Sequence, residues 1–234
     1  MLAETEQLTL PVELWPDVTE LVTEDDTPVD NIPSEKQQRL LTEPLYSSWM
    51  WLASGGQRIF LACANVGIFA IVRQPPLVPD MFLSLNVEPA EDWWDKNNRT
   101  YFVWEFGKVP EVVIEVVSNL KGNELGSKRR DYARIGVPYY AVYDPAEQLG
   151  QGKLNVFELG SEAYIKRETA WLPRVGLGLT LWHGTYEART SEWLRWCDEQ
   201  GNVIPTGAEA YTQERQRAER LAAKLRELGV DYAA

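Results

Sequence analysis

Val112-Val113-Ile114-Glu115-Val116-Val117 reads as a buried strand carrying one charge, because five of its six residues are β-branched. Side chains alternate along a strand, so Glu115 shares a face with Val113 and Val117, while Ile114 and Val116 point to the other side. Burying a bare carboxylate in such a run is too costly. Glu115 therefore needs a partner or a metal, unless the strand lies at a sheet edge and leaves the acid partly exposed. The run alone leaves both readings open.

Downstream of this strand, over Glu111 to Ser118, a loop leads into a basic helix from about Glu124 to Ile135, with Gly136 placed to cap its C-terminus. Val137 to Tyr143 is the next strand, ended by Asp144-Pro145. Strand, helix and strand in that order predict two neighbouring parallel strands joined by a right-handed crossover. Lys153 to Leu159, Tyr164 to Thr169 and Leu177 to Trp182 are expected to extend the sheet, and Trp193 to Pro205 to form a hairpin turning near Gln200-Gly201-Asn202. A charged helix spans Ala208 to Leu228.

Upstream, Arg58 to Ala64, Val66 to Arg73 and Val78 to Val87 read as a β-meander, followed by a packed aromatic loop over Glu91 to Gly107. A first helix is expected from an N-cap at Ser34 to about Ala53, with Pro44 kinking or splitting it. The whole predicts an α/β fold, a mixed sheet flanked by helices with a further helix at the C-terminus. Its divisions are an arm over residues 1–33, a core over 34–190, the hairpin over 191–206, and a charged helix and tail over 207–234.

The chain has 234 residues, 44% of them apolar, enough to bury a core. Its 35 acidic and 23 basic side chains give a net charge of −12, which excludes a generally polycationic nucleic-acid binder. Nine of the acids lie in residues 1–33, which hold no Lys or Arg, so the other 201 residues carry only −3. No apolar run approaches the roughly eighteen residues a membrane span needs, and the N-terminus lacks the pattern of a secretory signal. Two isolated cysteines, Cys63 and Cys197, and one histidine, His183, cannot assemble a four-ligand zinc site. A cytoplasmic protein with no membrane association is expected.

Two further residues stand out. Asp80 follows Pro79 at the start of an apolar strand. A wheel at about 100° per residue puts Lys128 in the apolar stripe of the basic helix, beside Tyr132 and Ile135. From there its ammonium can reach Glu115, or it can snorkel past the core to solvent.

Val78-Pro79-Asp80, Pro110-Glu111-Val112-Val113-Ile114-Glu115-Val116-Val117-Ser118, Lys128, Tyr132-Ala133-Arg134-Ile135-Gly136-Val137 and Tyr139-Tyr140-Ala141-Val142-Tyr143-Asp144-Pro145 together resemble the Uma-type restriction endonuclease family. That family belongs to the PD-(D/E)xK nuclease superfamily. The resemblance covers about residues 30–190. It implies a restriction-endonuclease-like core in which Asp80 and Glu115 bind metal, with the backbone carbonyl of Val116 completing the shell. The superfamily's lysine normally stands two residues after the second acid, where this chain has Val117; Lys128 matches the family's relocated lysine on the following helix.

What the resemblance implies is a Mg²⁺-dependent endonuclease, with Mn²⁺ as an alternative ion and DNA as substrate. Two carboxylates can hold a divalent cation that neutralises the scissile phosphate and delivers hydroxide, while a lysine orients the water or stabilises developing charge. Glu35 resembles an extra acid used by some superfamily members, or is an exposed first-turn Glu favoured by the helix dipole. From Lys121 to Arg134, five basic side chains stand against two acidic ones, either a phosphate-facing patch or a solvated helix face. Trp93 and Trp94 either stack on bases or pack against the sheet. Tyr211, Ala218, Leu221, Leu225 and Leu228 recur on one face of the last helix, adequate for a homodimer contact. The competing readings are a weakly active or inactive nuclease fold that binds nucleic acid or protein, and an acidic module that mimics DNA. On the nuclease reading, the acidic arm folds near the basic helix and competes with DNA.

Overall fold

The computed structural model describes residues 31–51, 57–118 and 124–228; residues 1–30, which carry all nine acids of the arm, and Lys121 lie outside the described residues. Helix α1 (Ile32–Ser47) is capped by Asn31, whose side chain accepts from the Ser34 amide at 3.0 Å. The cap therefore falls three residues before the one expected. A single 3₁₀ turn (Trp49–Trp51) follows, and Pro44 sits buried within α1.

The strands are β1 (Phe60–Cys63), β2 (Ile68–Phe69), β3 (Met81–Leu85), β4 (Tyr101–Phe102), β5 (Val112–Val116), β6 (Tyr139–Tyr143), β7 (Leu154–Leu159), β8 (Tyr164–Lys166), β9 (Trp171–Leu172), β10 (Leu177–Tyr186) and β11 (Arg189–Cys197). Helices α2 (Val103–Phe106), α3 (Arg129–Ile135) and α4 (Gly207–Glu227) complete the set. Six strands form one mixed sheet in the order β1-β3-β5-β6-β7-β8. The pair β5 and β6 is parallel, as the strand–helix–strand order requires, and all other neighbours are antiparallel. Gly136 ends α3 in the left-handed conformation (φ 91°), which a residue without Cβ adopts at little cost.

The expected meander is broken. β1 pairs with β3, whereas the chain turns away at Asn65 (φ 54°) and β2 pairs in parallel with β4 in a separate ribbon. The stretch 177–182 does not extend the main sheet either. It belongs to β10, which pairs with β11 and β9 in a second sheet. The β10–β11 hairpin turns at Glu187-Ala188, both left-handed (φ 43° and 61°). The reversal anticipated near Gln200-Gly201-Asn202 is present as a short turn: Cys197 bridges Val203, the Asp198 amide donates to Asn202 O and the Ile204 amide to Trp196 O, both at 2.9 Å. Residue 190 thus falls inside β11.

Alternation along β3 and β5 divides the core. Met81, Leu83, Val112 and Ile114 face α1 and the second sheet; Phe82, Val113 and Val117 face Tyr132 of α3. Gln37 of α1 grips the backbone of Leu194 in both directions (2.8 and 3.0 Å), and the Trp196 indole donates to Leu41 O at 2.7 Å. Lys36 and Arg39 pair with Glu187. The second sheet is thereby fixed to α1, and α1 to the main sheet. Helix α4 has a capping box at Thr206 and Glu209 and no buried residue. Among the described residues no helix is long and apolar enough to cross a membrane. Cys63 and Cys197 are both free.

Candidate active site

Glu115 is fully buried at 0% exposure, in a sheet with strands on both sides of β5. The edge-strand alternative therefore fails. Its two oxygens accept from different residues: Oε1 from the Tyr132 hydroxyl at 2.9 Å and Oε2 from the Lys128 ammonium at 2.8 Å. Burial pushes its pKa up to about 8; the Lys128 charge opposes the rise and the Asp80 charge adds to it.

Asp80 immediately precedes β3, whose Met81 lies opposite Ile114. Continuing that antiparallel register by one residue sets Asp80 opposite Glu115, on the same face of the sheet. The side chain bridges two elements. Oδ2 accepts from the Val116 amide at 2.6 Å and Oδ1 from the Gln38 side chain of α1 at 3.0 Å. Burial raises the Asp80 pKa, opposed by the Val116 N–H and the Lys128 charge. A residue in a strand directs its N–H and C=O to the same side. The Val116 carbonyl is accordingly aimed to the side on which Asp80 lies.

Lys128 arrives by a route the wheel did not anticipate. Residues Glu124–Lys128 form a π turn broken at Gly126 (φ −108°, ψ −105°), and the α-helix proper starts only at Arg129. The lysine therefore reaches Glu115 from the start of a short helix, and not from the stripe of a continuous one. Its own pKa is raised: burial lowers it, but the Glu115 charge and hydrogen bond outweigh that. Val117, which occupies the superfamily's usual lysine position, packs in the core at 2% exposure.

Two contributors lay outside the sequence argument. Gln38 is polar and 4% exposed, and also exchanges hydrogen bonds with Asn65 at 3.3 and 3.1 Å. The helical spacing Gln38, Leu41, Leu45 marks it as facing the core. Tyr132 counted only as an apolar residue, although a buried tyrosine hydroxyl usually needs a partner. Glu35, by contrast, is half exposed and bonded to Arg39. Of the basic patch, Arg129 stacks on Phe157 (5.2 Å) and Arg134 pairs with Asp131 (3.3 Å). Trp93 and Trp94 are exposed by 57% and 80% and do not pack flat on the sheet.

Asp80 and Glu115 bring two potential negative charges to Lys128's single positive one. Such a site relieves the imbalance by holding a proton or by gaining a cation. Among the described residues no three His, Cys, Asp or Glu side chains cluster as a metal site. A cation here would rest on two carboxylates, a backbone carbonyl and water, a hard-oxygen set that suits Mg²⁺. Each carboxylate oxygen already has one protein donor and retains a further lone pair.

A mixed sheet with a central parallel pair, packed against α1 and carrying this acid pair at the end of β5, defines a restriction-endonuclease-like α/β protein. The chain belongs to the Uma2 family, described as "Putative restriction endonuclease", which it matches over residues 23–185. No curated protein matches it.

Proposed function

We propose that this chain is a divalent-metal-dependent endonuclease that hydrolyses phosphodiester bonds in DNA. The observation that carries the reading is the in-register approach of Asp80 and Glu115 beside one ammonium, Lys128 Nζ, 2.8 Å from Glu115. Asp80, Glu115 and the Val116 carbonyl would hold Mg²⁺, or Mn²⁺ in its place. When bound, such an ion neutralises charge on the scissile phosphate and acidifies water.

The chain's own residues do the rest. Gln38 and the Val116 amide hold Asp80 so that its remaining lone pairs are fixed in direction. Tyr132 does the same for Glu115. Lys128 orients the attacking water and stabilises charge growing on the phosphate oxygens. Water gives up a proton to solvent as its oxygen bonds to phosphorus, the ester P–O bond breaks, and the leaving oxygen takes up a proton from solvent. A second copy would supply the second cut of a duplex, and α4 is the surface for it, with Tyr211, Leu221 and Leu228 exposed.

The other reading is a binding module without activity. Its support is that all four carboxylate oxygens already accept from protein donors. Incubation with plasmid and single-stranded DNA under Mg²⁺ or Mn²⁺, beside Asp80→Asn and Glu115→Gln, separates the two. Wild type cutting no better than either variant would leave the binding module.

A further inference from the structure

The geometry points to a nucleobase pocket beside the carboxylate pair, taking an unpaired base of the DNA strand engaged at the site. The inference rests on the nuclease reading and specifies how that enzyme holds its substrate. A cavity of about 430 Å³ is lined by, among others, Leu61, Cys63, Phe82, Trp93, Trp94 and Tyr101.

Its position follows from the sheet register. Phe82 is two residues beyond Asp80, lies opposite Val113 on β5 and opposite Cys63 on β1. Two residues along a strand are about 7 Å, on the same face. The cavity floor is therefore the next step along the face that carries Asp80 and Glu115, within the reach of one nucleotide.

Its walls suit a flat neutral ring. Among the described residues, Arg99 is the one charged residue lining the cavity. Burial pushes the Cys63 thiol up to about 12, so it contributes apolar floor and no charge. The exposure of Trp93 and Trp94 is built in. Asn98 donates to Asp92 O at 2.8 Å, its amide to Asp95 O at 2.9 Å, and the Asn97 amide to Asp95 Oδ1 at 2.8 Å. That loop holds two indoles against solvent, at a cost that stacking on a base would offset.

The loop charges argue for a base and against a duplex backbone. Glu91, Asp92 and Asp95 stand on the same loop as Lys96 and Arg99, so it offers no strongly basic track for a phosphate backbone. The Thr100 hydroxyl is committed to Gly67 O at 2.9 Å, and the Asn98 amide nitrogen to Asp92 O. Recognition through the rings is then tolerant of base identity.

The test uses the full chain with Ca²⁺ and no Mg²⁺, and fluorescence anisotropy of labelled single strands of about ten nucleotides. One strand has mixed sequence; the other is an abasic backbone of equal length. Wild type should bind the first at least roughly tenfold more tightly. Trp93→Ala and Trp94→Ala should each shrink that ratio severalfold while leaving abasic binding unchanged. Trp51→Ala, which removes another exposed indole, should preserve it. Equal binding of the two strands, no binding of either, or an undiminished ratio in both pocket variants would overturn the pocket. Cleavage is scored separately: a base-dependent ratio without cleavage keeps the pocket and sinks the nuclease, and cleavage with no such ratio does the reverse.

Discussion

Replacing Glu115 by glutamine should stabilise the metal-free protein, and increasingly so as pH rises. Glu115 is fully buried and its pKa stands at about 8, against 4.5 for an unperturbed glutamate. Between those values the folded state binds a proton that the unfolded state releases, so stability falls as pH rises. Each pH unit in that window is worth about 1.4 kcal/mol. The glutamine carries no such slope, and it can accept from Lys128 through its oxygen while donating to the Tyr132 hydroxyl. From near equality at pH 4.5, the variant should gain about 3 kcal/mol over wild type by pH 7, with the difference levelling off above pH 8. Urea unfolding in EDTA at half-unit pH steps measures this, since ionisable groups other than the neighbouring Asp80 and Lys128 contribute nearly equally to both proteins and cancel. Added Mg²⁺ should flatten the wild-type slope by holding the carboxylate ionised in the folded state. A difference that stays constant from pH 5 to 8, or a variant less stable throughout, would refute the charge-imbalance argument.

Lys128→Met should lower cleavage at least about 100-fold and leave Glu115 without its ammonium, a stability cost of about 1–3 kcal/mol expected above pH 8, where wild-type Glu115 is ionised and paired; single-turnover cutting and urea unfolding read the two effects. Gln38→Leu removes the donor to Asp80 Oδ1 and should weaken Mn²⁺ binding, titrated calorimetrically, by about 10-fold or more; an unchanged affinity would remove Gln38 from the site. Tyr132→Phe should cost about 1–3 kcal/mol, because a buried carboxylate oxygen loses its donor, and denaturant midpoints test it. Deleting residues 1–30 removes nine acids and no base; single-strand binding at low salt should tighten, and unchanged or weaker binding by the folded truncation would end the idea that the arm competes with DNA.

Local patterning carried much of this far. The parallel β5–β6 unit was legible because a β-branched run, a basic amphipathic segment with a glycine stop, and a second apolar run have few ways to pack. The demand that Glu115 find a partner was legible too, since desolvation cost depends on the run around it. Lys128 was found for a partly mistaken reason, a continuous helix that the π turn at Gly126 breaks. Proximity in sequence kept it beside the strand despite the change of geometry.

The sequence by itself determined that an acid would be buried in a central strand, that a lysine on the next helical segment could meet it, and that a parallel pair would frame both. Only tertiary structure decided that Asp80 lies opposite Glu115, that Gln38 and Tyr132 occupy the remaining near positions, and that β10 leaves the main sheet for α1. It alone set Trp93 and Trp94 outward over a cavity. The physical reason is that periodicity specifies which face of an element is apolar, whereas partners distant in the chain are chosen by register and by the elements competing for the same face.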